Sequence, residues 1–474
     1  MNENIKSKEQ IALFDTYEPS PLNENMMGDF DKGIAKNVIN LRNELKHEIP
    51  NTTYLTHAIH NVYPAKFIPQ VPRFVIKKFD LKGEIILDPF AGSGTTAVES
   101  LITGNSNISN DINPITRFLV EVKTLKLTSQ DYFSYVDRLN YHISSISKCN
   151  SRFTPKWGNL DYWYPADILS ALTKIWGYIH NIDESESSIK YILKASALYI
   201  SRKYSYGEDE SPKLFRSKQK AMKMKELTTK FNKHGENLLR QELFRKAKDY
   251  LERIIQFNSK MKTEYKKVDS LDSNKGQFLM VLDKSLEELE QKLRGETVDC
   301  IITSPPYIYA QEYFRSTKID MYWLDIVDDE SIRKLTKREI GQKLKPLSDL
   351  AGELSKVESY KNTLDTVTKL SKDFKTKENV SRFTAYFNDM LYFIHLSERL
   401  LVKKGILAIF IGEPKVFGHH VKTKDIITEM MQKNNFNVEH TFFDIIKSRH
   451  LSKNRLNENP NGIPGEWLII GKKL

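Results

Sequence analysis

Residues 85–104 read IILDPFAGSGTTAVESLITG, and residues 105–111 continue NSNISND. A short apolar run ends in an acid, Asp88, and a turn carrying Gly92 and Gly94 follows it. An apolar-periodic stretch then leads to Gly104, a helix stop signal, before a second short strand closes on Asn110 and Asp111. Strand, glycine-rich turn, helix, strand is the opening of a doubly wound α/β domain. Glycines without a Cβ let the backbone turn tightly and approach a ligand, and the start of the following helix offers free N–H groups to an anionic group.

Outward from this stretch, residues 1–50 are polar and read as peripheral, and 51–127 as the first part of the α/β domain. The alternation then stops. Residues 128–275 read as a helical basic insertion, with amphipathic stretches such as ILSALTKIWGYIH. Residues 151–180, rich in Trp and Tyr, read as its packed core. Strand and helix resume over 276–324, in QFLMVLDKSLEELEQKL and VDCIITSPPY. A second charged helical insertion occupies 325–380. Residues 381–474 close the domain with the helix FTAYFNDMLYFIHLSERLLVKKG, the strand ILAIFIG, a helix near 424–434 and the strands FNVEHTFFDII and EWLIIGKK.

The chain has 474 residues, 40 % apolar and 28 % charged, enough of both for a packed globular protein. No run of about 18 apolar residues is present, and the start MNENIKSKEQ lacks the apolar core of a secretory signal. With two cysteines, Cys149 and Cys300, a disulfide framework or multi-cysteine zinc site is excluded and a cytoplasmic location is expected. The formal net charge is +11, and residues 201–275 hold 20 basic residues against 11 acidic. Such a surplus fits a polyanion partner or a solvated helical face.

The acids around the turn narrow the ligand. Asp88 is poorly placed beside a pyrophosphate but suits an ammonium group, and Asp111 can accept hydrogen bonds from ribose hydroxyls. An adenosyl ligand with an amino-acid tail, S-adenosylmethionine, meets both requirements; a plain βα turn is the alternative. Thr303–Tyr307 reads TSPPY directly after an apolar strand. Two prolines fix φ and remove two donors, so the Ser304 side chain and the Pro305 carbonyl are placed to accept from an exocyclic amino group. Tyr307 offers a flat face for an extruded base. A Pro-Pro turn with an incidental aromatic is the competing reading.

Together DPFAGSGTTAVES, NDINP, the strand-end acid in VLDKSLEEL, and TSPPY resemble the amino-group DNA methyltransferases, which methylate cytosine N4 or adenine N6. The stretch HAIHNVYPAKFIPQ resembles the element that closes over the methionine part of the cofactor in that family. The likeness covers roughly 57–127, 276–324 and 383–474. It implies a Rossmann-like seven-stranded methyltransferase sheet whose last strand is antiparallel, interrupted here by two helical insertions. It also implies a catalytic turn of Ser304, Pro305, Pro306 and Tyr307. The implied S-adenosylmethionine site comprises Tyr63, Pro64, Lys66, Asp88, Pro89, Phe90, Gly92, Gly94, Thr95 and Asp111, with Asp283 near the adenine. Ser at the head of the turn is commoner in the cytosine-N4 group, whereas Asp or Asn is usual in adenine-N6 enzymes. The larger insertion precedes the Asp283 strand, a departure from the simplest subgroup pattern.

Carbon-5 methylation is disfavoured, since neither cysteine sits in an exposed Pro-Cys dipeptide. No complete metal-ligand set emerges, and His57 and His60 have the spacing of a surface helix pair, as positioning residues or satisfied polar groups. Double-stranded DNA is the expected partner, with a separately encoded restriction or phage-defence nuclease as companion. Lys213, Arg216, Lys218, Lys220, Lys223 and Lys225 are candidates for phosphate contacts. The loop with Arg449, Lys453 and Arg455 suits base edges or is a solvated hairpin connection. Methylation of RNA or of a protein amide, and a non-catalytic DNA-binding regulator, are the rival readings.

Overall fold

The computed structural model describes residues 38–60, 63–64, 66–209, 214–271, 276–308, 313–340, 349–370, 374–416, 418–446 and 463–474. Its strands, in chain order, are β1 (Val38–Ile39), β2 (Ile85–Asp88), β3 (Ser106–Asn110), β4 (Lys266–Lys267), β5 (Phe278–Leu282) and β6 (Val298–Thr303). They continue with β7 (Leu401–Gly412), the small hairpin β8 (Lys415–Val416) and β9 (His419–His420), β10 (Phe436–Ile445) and β11 (Gly465–Lys473). The central sheet has nine strands in the order β1-β10-β11-β7-β6-β2-β3-β5-β4. β11 runs antiparallel to both β10 and β7, while β7, β6, β2, β3 and β5 are mutually parallel.

This is the expected Rossmann-like sheet with its last strand reversed. Its count differs from seven because β1 and β4, two residues each, extend the two edges. β1 also corrects the reading of residues 38–50 as peripheral. Val38, Ile39, Leu41, Leu45 and Ile49 are buried, and the Leu41 amide donates to Asp444 on β10 at 2.9 Å.

Parallel strands covered on both faces must be apolar on both. Ile86, Ile302 and Ala408 face one layer, against Val71, Phe74 and Val75 of helix Gln70–Lys78. Their neighbours Leu87, Ile301 and Ile409 face the other, against helices Leu286–Leu293, Phe374–Leu400 and Thr423–Lys433. The long helix ends at Leu400 rather than near 405, because the following residues already belong to β7.

Residues 128–275 carry the helices Tyr132–Ser145, Ala166–His180, Ser187–Lys203, Lys218–His234 and Glu236–Lys260. Trp157, Trp163 and Trp176 are buried among them. Trp157 stacks on Tyr322 with ring centres 5.0 Å apart, and Trp176 on Trp323 at 5.6 Å. Helix Tyr313–Trp323, which follows the TSPPY turn, is thereby locked into the insertion's core. Among the described residues, no helix is long and apolar enough to cross a membrane.

Candidate active site

The turn after β2 works because two residues take backbone conformations that L side chains rarely adopt. Gly92 has φ +49° and Gly94 has φ +78°. A Cβ on Gly94 would stand 2.7 Å from the Val120 Cγ2, and one on Gly92 would stand 3.0 Å from the Tyr63 ring. The turn delivers the chain into helix Thr95–Ile102.

A cleft opens above this turn, with about 900 Å³ of free space including its mouth. Tyr63, Pro64 and Lys66 wall it on one side, and Pro89, Phe90, Gly92, Thr95 and Asp111 form its base. Ser304 and Pro306 reach the same cleft from the end of β6. The structure therefore brings ten of the expected residues together. Asp88, Gly94, Asp283, Pro305 and Tyr307 are not among the walls.

Asp88 is the first correction. Its carboxylate is fully buried and accepts from the Thr303 hydroxyl and the Thr96 hydroxyl, both at 2.6 Å, and from the Phe90 amide at 3.2 Å. Burial pushes its pKa up to about 7 against these stabilising bonds. Rather than facing a ligand's ammonium group, Asp88 ties the glycine turn to the TSPPY turn. Asp283 is the second correction. It is exposed and paired with Arg117 at 3.1 Å, while Lys284, Ser285 and Leu286 supply the cleft wall there. Ser285 also caps helix Leu286–Leu293 through a reciprocal bond with Glu288.

Asp111 keeps its place in the cleft. One carboxylate oxygen accepts from the Gly92 amide and the other from the Asn113 amide, both at 2.8 Å. Burial pushes its pKa up to about 6. Each oxygen retains a second lone pair for a hydroxyl. Lys66 donates to the His57 carbonyl, and its burial lowers its pKa to about 7. The fully buried Lys123 donates to the Ser93 carbonyl at 2.5 Å, bracing the glycine turn from below.

The TSPPY turn is fixed by its neighbours. The Tyr386 hydroxyl donates to the Pro306 carbonyl at 3.0 Å. The Tyr307 hydroxyl donates to Glu466 on β11 at 2.6 Å, and its ring lies so close to Gly412 that a Cβ there would meet it at 2.9 Å. Burial, with the Glu466 charge beside it, holds the Tyr307 phenol well above its usual pKa. Tyr307 thus anchors the turn to two strands, whereas the sequence suggested an open aromatic face.

Known proteins share this sequence pattern. The DNA methylase family of N6 and N4 methyltransferases matches residues 11–116, which include the glycine turn and Asp111. The chain is 24 % identical to the Type II methyltransferase M.MvaI of Kocuria varians, over 85 % of this chain and 87 % of that one. It is 26 % identical to the Type II methyltransferase M.BsoBI of Geobacillus stearothermophilus, over 62 % of this chain and 58 % of that one. The Type II methyltransferase M.MjaII of Methanocaldococcus jannaschii is 29 % identical over 34 % of this chain and 32 % of its own. The chain is thus similar to DNA methylases of the N6 and N4 kind over residues 11–116, and to a Type II methyltransferase over most of its length.

Methylases of this kind generally use S-adenosylmethionine, and the cleft fits it. An acid for hydroxyls, Asp111, stands beside the apolar faces of Phe90, Ile112 and Leu286, which suit a purine. Several walls of the methylase cleft escaped the sequence reading. Asn110, Ile112 and Asn113 lie inside the quoted NDINP without having been named as walls, and Tyr313 and Phe314 lie just beyond TSPPY, so proximity was their signal. Arg338, Glu339 and Ile340 arrive from the second insertion, and nothing local in sequence marks them.

His57 and His60 are not a surface pair but buried polar partners. His57 bonds Glu99 at 2.8 Å, and Arg73 reaches the other Glu99 oxygen at 2.7 Å. Burial outweighs the Glu99 charge and lowers the His57 pKa to about 4. His60 stands 3.2 Å from Asp320, which also holds Arg202 at 3.0 Å.

The DNA-contact candidates divide. Lys218, Lys223 and Lys225 are exposed on helix Lys218–His234. Arg216 is exposed but lies over the rings of Tyr206 and Tyr162, at 4.0 and 4.6 Å from their centres. Lys220 is a correction: it is 1 % exposed, with Nζ 2.5 Å from Asp209 and donating to the Lys203 carbonyl at 3.0 Å. A lysine stem can cross an apolar helix face to reach an inner carboxylate, and a charge held there is not presented to phosphate. Lys213, Arg449, Lys453 and Arg455 lie outside the described residues.

Proposed function

We propose that this methylase transfers a methyl group from S-adenosylmethionine to N4 of a cytosine extruded from double-stranded DNA. One observation carries the reading: Ser304 and Pro306, from the end of β6, share a cleft with Asp111 and Tyr63. Bound S-adenosylmethionine supplies an electrophilic methyl group. Asp111 accepts the ribose hydroxyls, and Phe90, Ile112 and Leu286 cover the purine. The Ser304 oxygen, which lines the cleft, accepts an N–H bond of the target amino group, localising its lone pair for attack. The nitrogen gains the methyl carbon as the sulfur–methyl bond breaks, S-adenosylhomocysteine leaves, and the proton shed by the amino group passes to water, with no covalent enzyme intermediate. Tyr386 and Glu466 keep the turn still while this happens.

Serine at the head of the turn favours cytosine N4 over adenine N6. The Type II names of the relatives favour a protective role beside a separately encoded restriction nuclease. The test is transfer of a labelled methyl group to mixed-sequence DNA, followed by digestion to nucleosides. Label in N4-methyldeoxycytidine supports the proposal. Label in N6-methyldeoxyadenosine moves the target base, and DNA binding without transfer favours a non-catalytic regulator.

A further inference from the structure

A second cavity lies behind the cofactor cleft, across helix Tyr313–Trp323. That helix gives Tyr313 and Phe314 to the cleft and Ile319 to the cavity. The cavity encloses about 1170 Å³ of free space including its mouth. Its walls carry Arg202, Lys203, Lys223 and Lys246 against two carboxylates, Glu208 and Asp209. Tyr199 is 40 % exposed and the Lys223 side chain 52 %, which places both at the mouth.

The ion pairs leave positive charge over. Asp209 is shared by Lys220 and Lys223, each at 2.5 Å. Asp249 is likewise shared by Lys246 at 2.9 Å and Arg253 at 2.8 Å. Lys203 is balanced by Glu242 at 2.7 Å and Arg202 by Asp320 at 3.0 Å. Two cations on one carboxylate leave a surplus charge at each shared site, and with Glu208 counted the set remains positive. Lys246 also stands 4.8 Å from the ring centre of Tyr199 and 4.6 Å from that of Tyr250, so its ammonium group lies between aromatic faces and open space.

We propose that this cavity receives a phosphate of the DNA backbone, held by Lys223 and Lys246; the inference rests on the DNA methyltransferase reading above. Lys223 belongs to a helix on which exposed Lys230, one heptad on, shares its flank and exposed Lys233 lies next around the solvent side, which extends the positive surface past the mouth.

The experiment measures binding of a mixed-sequence duplex against salt for the wild type, the double variant Lys223→Gln/Lys246→Gln and a control, Lys292→Gln/Lys403→Gln. The control loses the same charge at two exposed sites away from the cavity. The cavity variant should lose about one from the slope of log affinity on log salt, since one phosphate contact contributes about 0.9. Binding at low salt should weaken at least tenfold, while the control holds its slope. Lys223→Arg/Lys246→Arg keeps both charges and should hold most of that slope, which separates charge from damage to the fold. A cavity variant that behaves like the control overturns the proposal. Inorganic pyrophosphate at matched ionic strength is the second arm. Saturable pyrophosphate binding with an unchanged DNA slope reassigns the cavity to a free phosphate ester and also overturns it. Methyl transfer by the wild type is followed in parallel. Its presence with an unchanged slope sinks the cavity alone, and its absence with no DNA binding sinks both readings.

Discussion

The Asp88 carboxylate accepts a hydrogen bond from the Thr303 hydroxyl at 2.6 Å, across 215 positions of sequence. Thr96 bonds the other oxygen, so a single buried acid joins the end of β2, the start of the helix after the glycine turn, and the end of β6. The cofactor turn and the TSPPY turn are set relative to one another through it.

Replacing Asp88 with Ala should therefore act on the fold before it acts on ligand binding. Two buried threonine hydroxyls lose their acceptor, at a cost of about 1–3 kcal/mol each. Urea unfolding should show the loss, and Asp88→Asn should show less of it. Burial raises the folded pKa to about 7 from an ordinary 3.8, so the folded state holds the proton more tightly than the unfolded chain. The contribution to stability is complete below about pH 4 and is lost as pH rises through 7. Asp88→Asn should flatten that part of the stability profile.

Asp111 should act on the cofactor directly. Its pKa of about 6 means that the carboxylate becomes a protonated acid as pH falls through 6, and a neutral acid is the weaker acceptor. Titration calorimetry between pH 5 and 8 should show S-adenosylmethionine affinity falling towards pH 5. Asp111→Ala should weaken binding about 10- to 100-fold, as expected for a hydrogen bond to a charged group. Asp111→Asn should remove the pH dependence.

Ser304→Ala should lower single-turnover methyl transfer by about 10²–10³, the cost of losing one positioned polar contact in the transition state. Cofactor affinity should stay near wild type. The flat face that the sequence assigned to Tyr307 would survive Tyr307→Phe, so most activity would be kept on that reading alone. The bond from Tyr307 to Glu466 changes that expectation. Removing the hydroxyl takes one donor from a partly buried carboxylate, so the variant should be slower and about 1 kcal/mol less stable. Wild-type turnover in both variants would remove the turn from the mechanism.

Lys220→Ala should destabilise the insertion by about 1–3 kcal/mol, because Asp209 loses one of two cations and the Lys203 carbonyl loses its donor. The salt dependence of DNA binding should barely move. Paired melting and binding curves read both effects from one sample. A large change in salt slope with an unchanged melting point would restore Lys220 to the DNA contacts.

What the sequence made legible was local. Strand, glycine turn and helix follow one another within twenty residues, and the periodicity that marks them comes from contacts inside that window. The reversal of β11 was legible only through the resemblance, since its neighbours β10 and β7 differ in distance along the chain. Asp88 was misread because its partner Thr303 belongs to another strand, and an acid at a strand end looks the same whether it faces a ligand or a buried hydroxyl. Asp283 was displaced by its successors for a similar reason: the chain turns outward one residue before the cleft wall. Lys220 and the residues 38–50 show the third limit, that composition reports polarity but not which side of a helix or edge meets the core.

The pairing of β2 with β6 also sets an order of events during synthesis. Ile86 lies opposite Cys300 and Leu87 opposite Ile301, with the whole tryptophan-rich insertion emerging between them. While the ribosome is translating residues 128–275, β2 has β3 beside it and a bare parallel edge on its other side, a template for mispairing with another chain. The cofactor turn is thus translated early but gains its second strand only after Thr303 has left the exit tunnel. A fragment ended inside the insertion should keep the glycine turn, lose the buried bond that orients it, and aggregate through that edge.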